Sequence, residues 1–413
     1  MNILQVSTGF DISHNGGITN YVRNISSTLV DFGHKVTVLY SQDNNQEKDY
    51  NFNLINIHPI LKPFHLNSVI SNTDIEKVEK IIKKLNPDII HVHMMIDLPA
   101  GILEIFKKYS KVVISLHDYS YICNRIILMD REGNNCINNN QNRKCESCIP
   151  FEETIDNRII AGVLRKTAKI LGVNKLSNSS YHHERLKYSQ KLFSEINGIT
   201  AVSNRVKEIY LSNGFTNDNF FVNHIGNYTA EEEFRSSFGR KDNIEIEQKI
   251  KFGFIGFLDF YKGSEIFIEF AKNSYHDFHI YGNISDSVLN RIKNEPNIFY
   301  HGKYNHEDLK NILMNIDIGL VLPVWEDNAP QVVFEFLNSG IPIIGTRMGG
   351  LPDFINDQNG RLFENTPNEI DNMKSFIDSD EIYNFYNERI NKIKGTKKAA
   401  EHMTELLNIY NSI

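Results

Sequence analysis

The chain lacks any run of about 18 apolar residues, so no segment reads as a membrane-spanning helix. It lacks the basic start and long apolar stretch of a signal peptide, and its first ten residues, MNILQVSTGF, read instead as a strand and its loop. Net positive charge is also missing: at −7 the 413 residues offer nucleic acid no general attraction. No low-complexity tract or strong internal repeat is present. Cysteine is scarce, with four in all. What remains is 41% hydrophobic and 23% charged, the composition of a globular protein, and the expected location is the cytoplasm. A chain this long exceeds one ordinary core and predicts two domains.

Short apolar runs alternate with amphipathic stretches. Strands are expected at 2–6, 35–40, 53–57, 88–92, 112–116 and 198–203, then at 250–256, 277–281, 298–301, 317–322 and 341–345. Runs such as VVISL and DIGLVL are apolar at nearly every position, as strands buried on both faces of a parallel sheet must be. Between them Ile18, Val22, Ile25, Leu29 and Phe32 predict one apolar helix face, with Gly33 as the stop. Asn305 and Asp308 form a capping-box pattern ahead of the stripe Leu309, Ile312, Leu313 and Ile316. From Ile382 to the end the pattern reads as helical throughout. Strand–helix alternation in both halves predicts two doubly wound α/β domains, whose ligands gather at the carboxyl ends of the strands. The first strand is followed by STGFDISHNGG, which is not G-x-G-x-x-G and counts against a Rossmann oxidoreductase.

The most informative stretch is Trp325–Glu335, W-E-D-N-A-P-Q-V-V-F-E. It follows a buried strand. Pro330 suits a first helical turn, and Asn328 is the expected cap. The free N–H groups of such a helix start form a phosphate site. Glu335, inside the helix, can accept hydrogen bonds from two adjacent hydroxyls, as a ribose offers. This segment resembles the E-x7-E signature of the retaining glycosyltransferase family 4, with Asp327 in place of the first Glu. The resemblance implies the GT-B fold: two Rossmann-like domains facing each other across a cleft. It also implies that Glu335 binds the donor ribose, that Asp327 contacts the transferred sugar, and that Asn328, Ala329 and Pro330 line the donor site.

Further matches run along most of the chain. Asn15-Gly16-Gly17-Ile18 resembles the family's first glycine loop, where Gly16 and Gly17 would let the backbone approach the donor. FIGFLDFYKG resembles the G-R-L…K-G stretch. Lys262 matches the diphosphate-binding lysine, while Phe257 stands where the family has Arg. HGKYNHEDL implies that the backbone at Lys303 and Tyr304 meets the nucleobase. Gly349-Gly350-Leu351-Pro352-Asp353 and Asn359-Gly360-Arg361-Leu362-Phe363 resemble the later GG-x-P-E and N-G-x-L-F elements. In VVISLHDYSYIC, His117 matches the histidine beside the reacting sugar. His91 and His93 are weaker candidates, because a histidine at a strand end is more often packed.

Cys123, Cys136, Cys145 and Cys148 read C-x12-C-x8-C-x2-C. Clustered thiols in a cytosolic chain favour a structural zinc site pinning the loop 123–148, with free buried thiols and a redox disulfide as alternatives. Residues 157–191 hold Arg158, Arg165, Lys166, Lys169, Lys175, Arg185, Lys187 and Lys191 against Glu184 alone, a basic patch in an acidic protein. Membrane-associated members of the family resembled use such segments to meet anionic lipid. The bland alternative is a solvated helix face.

The expected domains are 1–226 on the acceptor side and 227–390 for the nucleotide sugar, with 391–413 a helix packing back on the first. The expected activity is a retaining hexosyl transfer from a UDP- or GDP-sugar to a glycan or lipid-linked acceptor in cell-envelope or exopolysaccharide synthesis. No catalytic metal or nucleic-acid partner is expected, and peripheral contact with the inner membrane face is. The alternatives are a degenerate donor-binding subunit, for which Phe257 speaks, and a nucleotide-sugar epimerase on the same fold.

Overall fold

The structure is a computed structural model. It describes residues 1–8, 10, 16–41, 49–57, 72–95, 98, 101–137, 145, 148, 160, 163, 166–167, 170, 179–239 and 243–413. Two compact units emerge: Met1–His224 with His402–Ile413, and Ile225–Glu401. The boundaries expected from the sequence are 226/227 and 390/391. Residues 391–401 group with the second unit, where Thr396 N–H donates to Asn338 Oδ1 at 2.8 Å and Asn227 N–H to Lys397 O at 3.0 Å.

The first unit holds β1 (Asn2–Thr8), β2 (Lys35–Ser41), β3 (Asn53–Asn56), β4 (Ile89–Val92), β5 (Lys111–Leu116), β6 (Gly198–Ala201) and β7 (Phe220–Val222). They form one parallel sheet in the order β3-β2-β1-β4-β5-β6-β7. The second unit holds β8 (Lys251–Ile255), β9 (Asp277–Tyr281), β10 (Ile298–Gly302), β11 (Ile318–Val321), β12 (Ile343–Thr346) and β13 (Gly360–Phe363), parallel in the order β10-β9-β8-β11-β12-β13. Both are doubly wound, with a reversal of strand order between β1 and β4 and again between β8 and β11. Ligands of open α/β sheets bind outside the carboxyl ends of the strands at that reversal.

Burial explains why the apolar runs were readable. All four residues of β4, β6, β11 and β12 are buried, as strands covered on both faces must be. In the second unit Phe252 and Phe254 of β8 join Phe267, Phe270 and Phe278 on one face, while Ile255 joins Leu309, Leu313 and Phe336 on the other.

Three local expectations need correction. In the helix Gly17–Asp31 the buried side includes Tyr21, Val22, Ile25 and Leu29, whereas Phe32 lies past the helix end and is 44% exposed. The C-terminal stretch is not one helix: Glu381–Arg389 and Ala399–Ser412 are separated by a segment that contains Gly395. The strands β7 and β13 were not in the expected set.

Candidate functional site

In the second unit the loop after β8 and the loop after β11 flank the strand-order reversal. Lys262, from the first, forms an ion pair with Asp327, from the second. The ammonium also sits 5.5 Å from the centre of the Trp325 ring, a cation–π contact. Asp327 is buried and Phe257 is 49% exposed on the loop after β8. The buried Trp325 indole N–H has no hydrogen-bond partner among the described residues, so an oxygen brought by a ligand would satisfy it.

The backbone fixes Asp327. Gly350 N–H donates to the Asp327 carbonyl at 2.7 Å, and Gly349 N–H donates to Glu326 Oε2 at 3.2 Å. Glu326, the neighbouring carboxylate, is therefore engaged in tying the loop after β11 to the loop after β12. Gly349 has φ +55°, and a Cβ there would overlap the Asp327 carbonyl oxygen. Gly349→Ala should lower stability by roughly 2–4 kcal/mol, because both the left-handed backbone and the backbone overlap oppose a side chain. Chemical denaturation with an unchanged midpoint would contradict this.

The helix after β11 spans Gln331–Asn338, and its N-cap is Pro330, not the expected Asn328. Proline fixes φ at −61°, and no side chain caps the helix, so its first N–H groups have no side-chain acceptor there. Glu335 lies in its second turn, half-buried, and burial pushes its carboxyl up to about 7. Its charge is felt by two tyrosines: Tyr228 is pushed up to about 12, by burial first and Glu335 second, and Tyr304 is raised by burial and then Glu335. Tyr304 and Glu335, far apart in sequence, thus share one surrounding, which Tyr228 joins unforeseen. Lys303 beside them is exposed.

In the first unit Gly16 is the N-cap of the helix Gly17–Asp31, and both glycines are exposed. Asn15 lies outside the described residues. His117 stands just past β5, half-buried, with its ring 4.8 Å from that of Tyr21. Its Nε2 is 3.2 Å from His93 Nδ1, and His93 Nε2 is 2.6 Å from Gln5 Oε1. With the Gln5 amide so oriented its oxygen can only accept, so His93 carries its proton on Nε2 and accepts at Nδ1 from His117 Nε2–H. His117 Nδ1 is then able only to accept. Burial, with His402 as a second cause, lowers His117 to about 3 and keeps it neutral.

The C-terminal helix supplies side chains that sequence patterns did not mark. His402 Nε2 is 2.8 Å from Tyr21 Oη, and His402 Nδ1 is 3.0 Å from Asn223 Oδ1. Tyr410 Oη is 2.6 Å from His91 Nδ1, and His91 Nε2 is 2.7 Å from Ser115 Oγ. His91 and His93 are thus packed polar groups with both ring nitrogens bonded. The signal that could have exposed His402 was a histidine among apolar residues of the last helix.

The four cysteines are partly buried, and none of them is in a disulfide. Burial and the other three thiols push Cys145 up to about 12, so it is protonated. Among the described residues no group of three His, Cys, Asp or Glu side chains is placed to hold a metal ion. The basic patch also needs correction at one residue: Arg185 is buried, its guanidinium donating to Ser120 O. Lys166, Lys187 and Lys191 are exposed, and Arg158, Arg165, Lys169 and Lys175 lie outside the described residues.

Residues 15–226 match the model of glycosyltransferase family 4, and residues 249–377 match that of glycosyl transferases group 1. The chain belongs to glycosyltransferase family 4. An uncharacterized 42.6 kDa protein in the cps region of Klebsiella pneumoniae is 22% identical over 380 residues, covering 86% of this chain and 87% of that protein. Among solved structures, Anabaena HepE in complex with UDP superposes with a TM-score of 0.64 at 13% identity over 100% of both chains. The lipopolysaccharide outer core galactosyltransferase WaaB gives 0.58 at 12% identity over 99% of both. Such distant likeness establishes the fold: this glycosyltransferase is of the GT-B type, built on two parallel-sheet α/β units. No helix among the described residues is long and apolar enough to cross a membrane.

Proposed function

We propose that this glycosyltransferase moves a hexose from a UDP- or GDP-sugar to a glycan or lipid-linked acceptor of the cell envelope, with retention of the anomeric configuration. The observation that carries the reading is the pairing of Lys262 with Asp327 at the strand-order reversal of the second unit, beside a helix start with no side-chain cap and a half-buried Glu335. A donor fits these groups by chemistry. Its diphosphate takes Lys262 and the N–H groups after Pro330, its ribose hydroxyls donate to Glu335, and a hydroxyl of its sugar donates to Asp327. As the leaving diphosphate gathers charge, Lys262 and the helix start stabilise it. Neutral His117, accepting at Nδ1, suits a sugar hydroxyl and not a phosphate. HepE, solved with UDP, and WaaB, named for a galactosyl transfer to lipopolysaccharide, supply the analogy for donor and acceptor classes.

Thermal melting against UDP-, GDP- and dTDP-sugars tests the donor. The true donor at 100 times its Kd should add roughly 2.7 kcal/mol of stability. Proton NMR of the product then reads the anomer, and an inverted product would refute the retaining assignment. The exposed Phe257 at the position of an arginine favours one second reading, a subunit that binds donor without turnover. Slow release of nucleoside diphosphate from the bound donor would exclude it.

We also assign the basic stretch 157–191 to an anionic membrane surface. Ile160, Val163 and Ile170 are helical and 51%, 58% and 81% exposed, with Lys166 between them, the mixed apolar and cationic character that anionic lipid attracts. Vesicles rich in anionic lipid should pull the protein down at low salt and release it at about 0.5 M, where charge interactions are screened. Absence of sedimentation at low salt would refute the assignment.

A further inference from the structure

A second cleft of about 690 Å³ opens in the Ile225–Glu401 unit, away from Lys262 and Asp327. Its walls include Arg235, Arg389, Lys392 and Lys394, with Asp357 and Glu388 as the carboxylates, and the side-chain amides of Gln358 and Asn391 add to them. Asp357 and Gln358 immediately precede β13, so the cleft lies at the amino end of that strand, whereas Lys262 and Asp327 follow the carboxyl ends of β8 and β11. The two sites are at opposite edges of one sheet.

Four cations face two carboxylates, and the charges are poorly matched within the protein. Arg235, Lys392 and Lys394 form no ion pair with the described residues. Arg389 reaches Glu388 only at 3.7 Å, and its Nε is buried without a hydrogen-bond partner among the described residues. Arg389 is held in place by its own helix, donating to Phe385 O at 3.1 Å with its guanidinium 4.4 Å from the Phe385 ring centre. Arg235 lies over the backbone of Gly395: a Cβ there would stand 2.7 Å from its Cζ and 2.8 Å from its Nε and Nη1. These two guanidiniums, with the further positive charge of Lys392 and Lys394 beside them, attract an oxyanion. The carboxylates and amides beside it accept and donate hydrogen bonds to hydroxyls. The volume is within the about 300–1,000 Å³ of small-molecule pockets and exceeds what a bare phosphate fills.

We propose that this cleft binds an anionic monosaccharide, its phosphate or carboxylate on the Arg235, Lys392 and Lys394 side and its hydroxyls on Asp357 and Glu388. The site is separate from the donor site and does not depend on the donor reading. All of its lining residues belong to the Ile225–Glu401 unit.

Titration calorimetry of the full chain with glucose 6-phosphate, glucuronate, glucose and inorganic phosphate tests this. At least one of the two anionic sugars should bind at least tenfold more tightly than both glucose and phosphate, and which of them does so identifies the anion. Arg235→Ala combined with Lys394→Ala should weaken that binding at least tenfold while leaving the melting temperature unchanged, since neither side chain forms an ion pair with the described residues. Glu335→Ala, in the donor site, should leave it unaltered. Equal affinity for all four probes, binding that survives the double substitution, or binding lost in Glu335→Ala would each overturn the proposal.

Discussion

Replacing Glu335 with alanine should weaken nucleotide-sugar binding by at least about a hundredfold. A carboxylate accepting from two ribose hydroxyls makes two charge-assisted hydrogen bonds, worth about 1.5–3 kcal/mol each, and 1.4 kcal/mol is a factor of ten. Calorimetry showing unchanged affinity would remove Glu335 from the site. The same carboxyl gives a pH signature. Burial holds it at about 7, so near neutrality the empty site is split between acid and anion. Only the anion accepts from both hydroxyls, so affinity should rise as pH increases through 7 and level off above it. Well below 7 the affinity should fall roughly tenfold per pH unit. Glu335→Gln should flatten this profile. Stability runs the other way: a carboxyl raised from its ordinary 4.5 binds its proton more tightly folded than unfolded, so the empty protein loses stability as pH rises from about 4.5 through 7. Glu335→Gln should remove that loss. A pH-independent Kd between 5.5 and 8.5 would remove the Glu335 anion from donor binding, and a pH-independent stability of the empty protein between 4.5 and 7 would contradict its raised carboxyl.

The fold was legible because its strands are buried on both faces. A parallel strand covered by helices must be apolar at consecutive positions, and VVISL or DIGLVL has few other uses. The strands that escaped, Phe220–Val222 and Gly360–Phe363, are three and four residues long, and the second carries Gly and Arg, too little pattern to separate from a loop. The elements of the proposed donor site are legible one segment at a time, because Pro330 and Glu335 belong to one helix and its approach. What no local pattern carries is convergence. The Lys262–Asp327 pair depends on how two loops leave adjacent strands. The raised carboxyl of Glu335 depends on burial, and the Tyr21–His402 contact depends on the last helix returning to the first sheet. The cap assignment failed for a related reason: Asn328 is a good cap by residue type, but proline two residues on fixes the backbone that starts the helix.

Lys262→Ala should have the second large effect, and it separates binding from stability. Lys262 is the described cation paired at the proposed donor site, and Phe257 supplies no charge at the position matched to an arginine by the resemblance. Losing it should weaken donor binding by at least about a hundredfold, since a hydrogen bond to a charged group contributes about 1.5–3 kcal/mol and the diphosphate carries more than one charge. The substitution also strands Asp327, whose side chain is 9% exposed, without its counter-ion. Breaking a buried pair costs about 3–5 kcal/mol, but Lys262 is 37% exposed and solvent screens part of the interaction, so a loss of roughly 1–3 kcal/mol in folding stability is expected. Adding Asp327→Asn removes the stranded charge and should restore most of that stability without restoring donor affinity. Urea denaturation reads the first quantity and calorimetry with the donor the second. A double variant no more stable than Lys262→Ala would mean that the pair does not hold these loops. One that regains donor binding would mean that Lys262 serves only to neutralise Asp327 and not to receive the diphosphate.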